Sequence, residues 1–284
     1  MKPTLITFAL FVPLVLTSAR AHAQGAHDRD EDLSFEPDRI PVPPKAPLDP
    51  SDLAKQSENP ISGKVINVPV EQQLDLGGRR YVTRVEPAVP VKAGDDWYIV
   101  TRGLLPLVDR QIDGESGRSF GIGDAALSFF ATSSIPSKFI FGAGPIGVFP
   151  TATAADLGTK KWSMGPAAVA LVSSGPWVAG ANASQIWSYA GKSDATDVSL
   201  LTVQPFVNFN IRGGWSVSTT PLMLHDWKRG SDGWLVPVGG DIGKTFIVAK
   251  AGVRAVAGMY WNVVRPNDGP EGQVRIQLAM LLPQ

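Results

Sequence analysis

Two glycine-rich segments are the first places where this sequence could bind a nucleotide. GAGPIG at 142–147 has the glycine spacing of a dinucleotide-binding loop, and GGDIGKT at 239–245 is one residue short of a phosphate-binding P-loop. Both loops require a helix after the glycines, because the helix N-terminus holds the phosphate. Pro145 interrupts the first motif, and β-branched residues follow the second. We therefore expect no cofactor, since glycine within a strand instead marks a bend or a close approach of backbones.

A hydrolase would need a nucleophile beside a base. Outside the N-terminal leader the histidines are His27 and His225, and the second suggests one set of candidates, Ser218, His225 and Asp226. Their spacing does not place serine and histidine side by side, as the pairing of nucleophile and base requires. Metal-ligand spacing is also absent. The sequence predicts that the protein is not an enzyme, with an outer-membrane esterase or lipase as an alternative.

The N-terminus has the pattern of a secretory signal peptide. Lys2 precedes an apolar stretch at 5–16, and the small-residue ending Ala21-His22-Ala23 predicts cleavage after Ala23. No later stretch has the roughly 18 apolar residues of a spanning helix. The chain has no cysteine, and without the two basic residues of the leader it is slightly acidic. This composition argues against a disulfide scaffold and against a nucleic-acid binder.

Three parts of the chain differ in composition. Residues 1–23 are the predicted signal peptide. Residues 24–60 are acidic, rich in proline and poor in clustered apolar residues. Such a segment buries too little surface to offset its ordering entropy, so we predict a disordered periplasmic tail. Residues 61–284 are predicted to form the folded domain.

The folded domain alternates apolar and polar residues with a period of two. At its start Ile66, Val68 and Val70 are apolar, whereas Asn67 and Glu71 are polar. This period indicates a β-strand with one apolar face. About 12 such segments recur. The predicted spans are 64–76, 80–92, 96–108, 120–132, 138–150, 162–173, 176–189, 198–211, 214–227, 233–246, 252–264 and 272–282.

The connections between strands and the positions of the aromatic residues favour a β-barrel among the all-β folds. After the first connection, longer polar loops alternate with short turns, as in outer-membrane barrels. Aromatic residues near strand ends suit the two membrane interfaces. These residues are Trp97, Tyr98, Trp162, Trp177, Trp187, Trp215, Trp227, Trp234, Tyr260 and Trp261. We predict an all-β, antiparallel transmembrane β-barrel of about 12 strands in the bacterial outer membrane, with a soluble sandwich as the alternative.

Several motifs also resemble one bacterial family in the same order. They include NPISGKVINVPVEQQLDLG at 59–77, GIGDAALSFF at 121–130, WLVPVGGDIGK at 234–244 and NVVRPNDGPEGQVRIQLAMLLP at 262–283. The sequence resembles the outer-membrane β-barrel family labelled MetA-pathway of phenol degradation, also called neuromedin-U-like or transporter. The resemblance covers residues 52–283. It implies a channel-like barrel.

Polar residues opposite the apolar face are the predicted lumen lining. The candidates are Glu71, Asp75, Arg84, Glu86, Arg102, Asp124, Gln204, Asn208, Arg254 and Arg275. Facing carboxylates and guanidiniums would orient a polar solute. The predicted function is passive passage of small, aromatic or hydrophobic solutes. The alternative is a structural or adhesive barrel plugged by its own ion pairs. Expected partners are outer-membrane lipid and lipopolysaccharide, the outer-membrane assembly machinery and the solute.

Overall fold

The computed structural model describes residues 49–77, 80–111, 117–249 and 251–284. The predicted signal peptide and most of the predicted tail lie outside these residues. The described chain begins with helix α1 (Pro50–Glu58) and continues as strands. The strands are β1 (Val65–Leu76), β2 (Arg80–Val85), β3 (Ala88–Lys92), β4 (Trp97–Gln111), β5 (Arg118–Ile122), β6 (Ala125–Ser133), β7 (Phe139–Phe149), β8 (Lys161–Ser174), β9 (Trp177–Gly191), β10 (Ser199–Ile211), β11 (Trp215–Thr219), β12 (Met223–Asp226), β13 (Trp234–Val248), β14 (Ala251–Val264) and β15 (Gly272–Pro283). A 3₁₀-helix, Trp227–Gly233, links β12 to β13.

These strands form one closed antiparallel sheet. Apart from three interrupted strands, each strand pairs with its neighbours in sequence, and β1 pairs with β15 to close the ring. Three strands of the wall are each interrupted, giving the pairs β2 and β3, β5 and β6, and β11 and β12. Pro87 and Pro221 lie in two of the interruptions, where proline lacks the N–H that a ladder needs. The predicted 12-stranded antiparallel barrel is therefore confirmed.

Side chains alternate between the inside and the outside of the barrel along each strand. On β10, Asn208 and Asn210 are buried while Val207 and Phe209 are exposed. On β15, Leu281 is buried and Ile276 is 58% exposed. The outer face is thus mainly apolar. Among the described residues no helix is long and apolar enough to cross a membrane.

The GAGPIG segment lies in the middle of β7, as predicted. A side chain at Gly144 would place its Cβ 1.9 Å from the carbonyl oxygen of Phe129 on β6. Only glycine allows the two backbones to approach this closely. Pro145 lies opposite Pro166 of β8. The glycine spacing that resembles a phosphate-binding loop thus serves strand packing.

Helix α1 corrects part of the predicted disordered tail. Asp49 caps the helix by accepting a hydrogen bond from the N–H of Ser51, and Pro50 occupies the first turn. Leu53 packs inside the barrel against Val65 and Leu281. The prediction of disorder is therefore wrong for residues 50–58. A few apolar residues suffice to order this segment because the barrel supplies the rest of the apolar surface.

Candidate functional site

Eight of the ten residues predicted to line the lumen fall on inward-facing strand positions, and Glu86 and Asp124 lie in two of the strand interruptions. Six of them form inward ion pairs: Glu71, Arg84, Glu86, Arg102, Arg254 and Arg275. The other four lie apart. Asp75 accepts a hydrogen bond from Gln73, and Asn208 donates one to the carbonyl of Val178. Gln204 lies opposite Asn182 on β9.

A cluster around Arg275 is the most connected polar group in the lumen. Its guanidinium contacts the Asp241 carboxylate through Nε at 2.7 Å and Nη2 at 2.5 Å. Tyr260 donates its hydroxyl proton to Asp241 at 2.5 Å, and Arg275 also donates to the Thr220 hydroxyl. Asp241 is buried, so its charge depends on these partners. The cluster joins β13, β14 and β15 on one side of the lumen.

Two more ion pairs extend this polar side of the lumen toward β4. Arg84 binds Glu71 across the β1–β2 ladder, with 2.9 Å between Nη1 and Oε1. Arg102 and Glu86 are more loosely paired, at 3.8 Å. Glu71 also lies 4.0 Å from Arg275, which connects the two groups. Charges of both signs therefore line one side of the lumen.

Sequence reasoning missed three members of the Arg275 cluster. Asp241 lies within the apparent P-loop fragment, and Tyr260 was assigned to the membrane interface. Thr220 follows β11 directly. The inward position of Asp241 was predictable from the sequence, because Asp241 precedes Ile242 in the strand. Neighbouring residues of a strand face opposite ways, and Ile242 faces outward.

An apolar cluster occupies part of the opposite side of the lumen. The buried side chains there come from β4, β6, β8, β9 and β10, and they are Val100, Phe130, Ala167, Val169, Leu171, Val178 and Phe206. Ile61, which follows helix α1, packs into the middle of this group. The interior of the barrel therefore contains a charged group on one side and, on the other, an apolar cluster that packs against Ile61.

Helix α1 lies inside the barrel at the end that carries the short turns. Glu58 accepts hydrogen bonds from Arg254 at 2.9 Å and from Asn210 at 2.7 Å. Burial raises the pKa of Glu58, whereas the guanidinium of Arg254 acts in the opposite direction. A buried pair of this kind adds little net stability, so it mainly fixes the position of the helix. The apolar contacts of Leu53 and Ile61 hold the segment in place.

At the opposite end, the loop at residues 150–160 folds back into the barrel. Leu157 packs against inward-facing Val82 and Val108. Asp124 accepts hydrogen bonds from the N–H and the hydroxyl of Thr159, at 2.6 and 2.7 Å. Asp124, one of the predicted lumen residues, therefore anchors a loop. The lumen is narrowed at both ends in this structure.

The outer surface has the character of a membrane-facing wall. Eight tryptophans are exposed near strand ends: Trp97, Trp162, Trp177, Trp187, Trp215, Trp227, Trp234 and Trp261. Lys244 lies over the Trp215 ring at 4.8 Å from its centroid. The prediction is wrong for Tyr98 and Tyr260, which point inward because they alternate with outward tryptophans. The closed sheet and this apolar, tryptophan-flanked exterior define a transmembrane β-barrel.

The candidate hydrolase residues do not come together. Ser218 is buried opposite Asn208 and Asp241 on inward-facing positions. His225 lies on the outward-facing set, stacked on Trp234 with a centroid distance of 4.3 Å. The two side chains are on opposite faces of the wall, so neither can activate the other.

Comparisons with known proteins agree with the fold. The chain matches no protein-family model, and no curated protein is significantly similar to it in sequence. The COG4313 outer membrane channel from Pseudomonas putida F1 is similar in structure, with a TM-score of 0.59 and 16% identity over 78% of this chain and 96% of that chain. The NanC porin has a TM-score of 0.49 and 9% identity over 76% and 98% of the two chains. Outer membrane phospholipase A from Escherichia coli has a TM-score of 0.41 and 10% identity over 77% and 95%. The likeness to the COG4313 channel shows that the chain has the fold of an outer-membrane β-barrel, as predicted.

Proposed function

We propose that the protein is an outer-membrane channel for small solutes that combine an apolar body with a polar group. The observation that carries this proposal is the presence, within the same barrel, of a charged group around Arg275 and an apolar cluster around Phe130 and Phe206. A solute of this kind could place its apolar body near Phe130 and Phe206 while its polar group faces Arg84 or Arg102. Aromatic compounds with one polar substituent meet this description.

We also propose that the protein belongs to the family that its sequence resembles. The order of motifs from residue 52 to residue 283 supports membership of the MetA-pathway family, and the similarity of fold to a COG4313 channel supports a channel role. We also infer that the protein has no enzymatic activity, because the candidate serine and histidine lie on opposite faces. Outer-membrane lipid, lipopolysaccharide and the assembly machinery are its proposed partners.

A plugged structural barrel is the second candidate function. It is favoured by the docked helix α1 and by the pairing of the lumen charges. Under this alternative the ion pairs serve to fill the barrel, and solutes do not cross. The two candidates differ in one measurable property, which is flux through the folded protein.

Liposome swelling tests the channel proposal. Folded full-length protein would be reconstituted, and uptake of benzyl alcohol and benzoate would be compared with uptake of arabinose. We expect faster entry of the two aromatic solutes, and a changed ratio between them in Arg102→Ala, which removes a lumen charge. Lys244→Ala is the matched control because Lys244 faces outward. No flux of any solute through protein that migrates as a folded barrel would support the structural alternative.

A further inference from the structure

One ion pair of the lumen is not joined by hydrogen bonds. The guanidinium of Arg102 and the carboxylate of Glu86 lie 3.8 Å apart, beyond the range of about 2.7–3.2 Å for a hydrogen bond between nitrogen and oxygen. By contrast, Arg84 approaches Glu71 to 2.9 Å. Among the described residues, neither the guanidinium of Arg102 nor the carboxylate of Glu86 forms any hydrogen bond.

The backbone fixes the positions of these two side chains. Glu86 and Pro87 lie in the interruption between β2 and β3. Glu86 donates its N–H to the carbonyl of Pro69 at 3.0 Å, and Gly103 donates its N–H to the carbonyl of Pro87 at 2.9 Å. Arg102 directly precedes Gly103 on β4. Because the backbone is held on both sides of the pair, little binding energy would be lost in ordering it around a solute.

The two ions are largely shielded from water but still reach the lumen. The side chain of Arg102 is 21% exposed and that of Glu86 is 32% exposed. An ion that loses hydration needs hydrogen bonds in exchange, and a loose pair supplies none. The N–H groups of the guanidinium and the two carboxylate oxygens are therefore available to a solute.

The balance of charge favours an uncharged solute group. The pair is neutral in sum, and the neighbouring Arg84 and Arg275 are each paired with a carboxylate as well. A solute carboxylate would be repelled by Glu86, and a solute ammonium would be repelled by Arg102. A group that accepts a hydrogen bond from Arg102 and donates one to Glu86 satisfies both ions. Hydroxyl groups and primary amides have this capacity.

Apolar side chains adjoin the pair on the side of the outer mouth. Leu104 follows Arg102 by two residues on β4 and therefore faces the same way. Leu104 lies opposite Ala126, which in turn lies opposite Val148. All three are only partly buried, unlike the cluster packed against Ile61, so they keep apolar surface toward the lumen. The apolar body of a solute can lie on this surface while the pair holds its polar group.

We propose that Arg102 and Glu86 form a binding site for solutes whose polar group is an uncharged hydroxyl or primary amide. The group accepts a hydrogen bond from Arg102 and donates one to Glu86, and the apolar body lies on Leu104 and Val148. The site narrows the solutes of the proposed channel to uncharged ones. Its role in passage rests on the proposed function, whereas binding itself does not.

Calorimetric titration of folded full-length protein in detergent, with protein-free micelles as the blank, tests the site. Benzamide, methyl benzoate, benzoate and benzylamine serve as probes because they share one ring. Benzamide donates and accepts hydrogen bonds, methyl benzoate only accepts them, and the other two are an anion and a cation. We expect benzamide to bind at least about tenfold more tightly than each of the others, which is the effect of one charge-assisted hydrogen bond.

Two variants should change the preference in opposite directions. Glu86→Gln leaves the guanidinium of Arg102 without its counter-ion and should raise the affinity for benzoate about tenfold, whereas Arg102→Gln should do the same for benzylamine. A heat-modifiability gel verifies that each variant is folded. Arg229→Gln and Asp268→Asn are the matched controls, because this ion pair lies in the connections that follow β12 and β14. Both controls should keep the preference of the wild type.

Three results would overturn the proposal. They are the absence of binding, equal binding of the four probes to the wild type, and affinities for benzoate and benzylamine that stay unchanged in both folded variants. The comparison of probes on the wild type decides the matter even if a variant does not fold. Preferred binding of benzamide without solute flux in liposomes would refute the channel alone, and flux without preferred binding would refute the site alone.

Discussion

We predict that helix α1 and Ile61 restrict the lumen, so releasing them should widen it, and the structure gives the size of the effect on docking. Ile61 and Leu53 are 1% and 3% exposed and belong to separate apolar clusters. Replacing a buried Ile or Leu by Ala costs about 2–5 kcal/mol, and effects at separate sites add. The double variant Leu53→Ala/Ile61→Ala should therefore weaken docking by at least about 4 kcal/mol, or roughly a thousandfold in the docked-to-undocked ratio.

Single-channel recording in planar bilayers measures this change as open probability. The control variant Ile276→Ala/Leu278→Ala removes the same side-chain types from the outward face, where both are more than half exposed, and should leave gating unchanged. Trypsin cleavage at Lys55, in α1, reports release of the helix independently. Release of α1 without any rise in open probability would refute the idea that this segment closes the lumen.

Three further predictions concern the polar groups. Arg275→Ala leaves the Asp241 carboxylate buried without its charge partner, so it should destabilise the barrel by about 3–5 kcal/mol. The variant should unfold at a lower temperature on a heat-modifiability gel. An unchanged unfolding temperature would contradict the proposed charge pairing. Asp124→Ala removes the anchor of the 150–160 loop. Trypsin should then cut that loop at least about tenfold faster, because each lost bond to a charged group contributes about 1.5–3 kcal/mol, and equal rates would exclude an anchoring role. Burial raises the pKa of Glu58 above 4.5, so docking of α1 should be most stable below pH 4.5 and weaken as the pH rises through the raised pKa. The open probability of the channel should therefore rise over this pH range in the wild type but not in Glu58→Gln. A fall in open probability would show that the predicted sign is wrong.

The fold could be predicted from the sequence because strand period and loop asymmetry are local signals. Every predicted strand span overlaps a strand or an interrupted strand of the wall. Alternation also assigns Arg275 and Asn208 to the face that points inward in the structure, and Pro205 does not shift the alternation at Asn208.

The contacts within the lumen could not be predicted in the same way. The partners of Arg275 are Asp241 and Tyr260, which lie on different strands and meet only when the sheet closes with one register. Helix α1 was missed because its apolar content is low for an isolated segment, and the surface that stabilises it is contributed by residues far along the chain. Both errors concern long-range contacts, which periodicity does not report.

The position of α1 also has a consequence for the order of assembly. Leu53 packs against Val65 of β1 and Leu281 of β15, the two strands whose pairing closes the ring. This part of the docking surface of the helix therefore does not exist until the last strand of the chain has joined the first. Complete docking of α1, near the start of the chain, therefore requires the strand at its end, and the Leu53 contacts form only once the ring has closed.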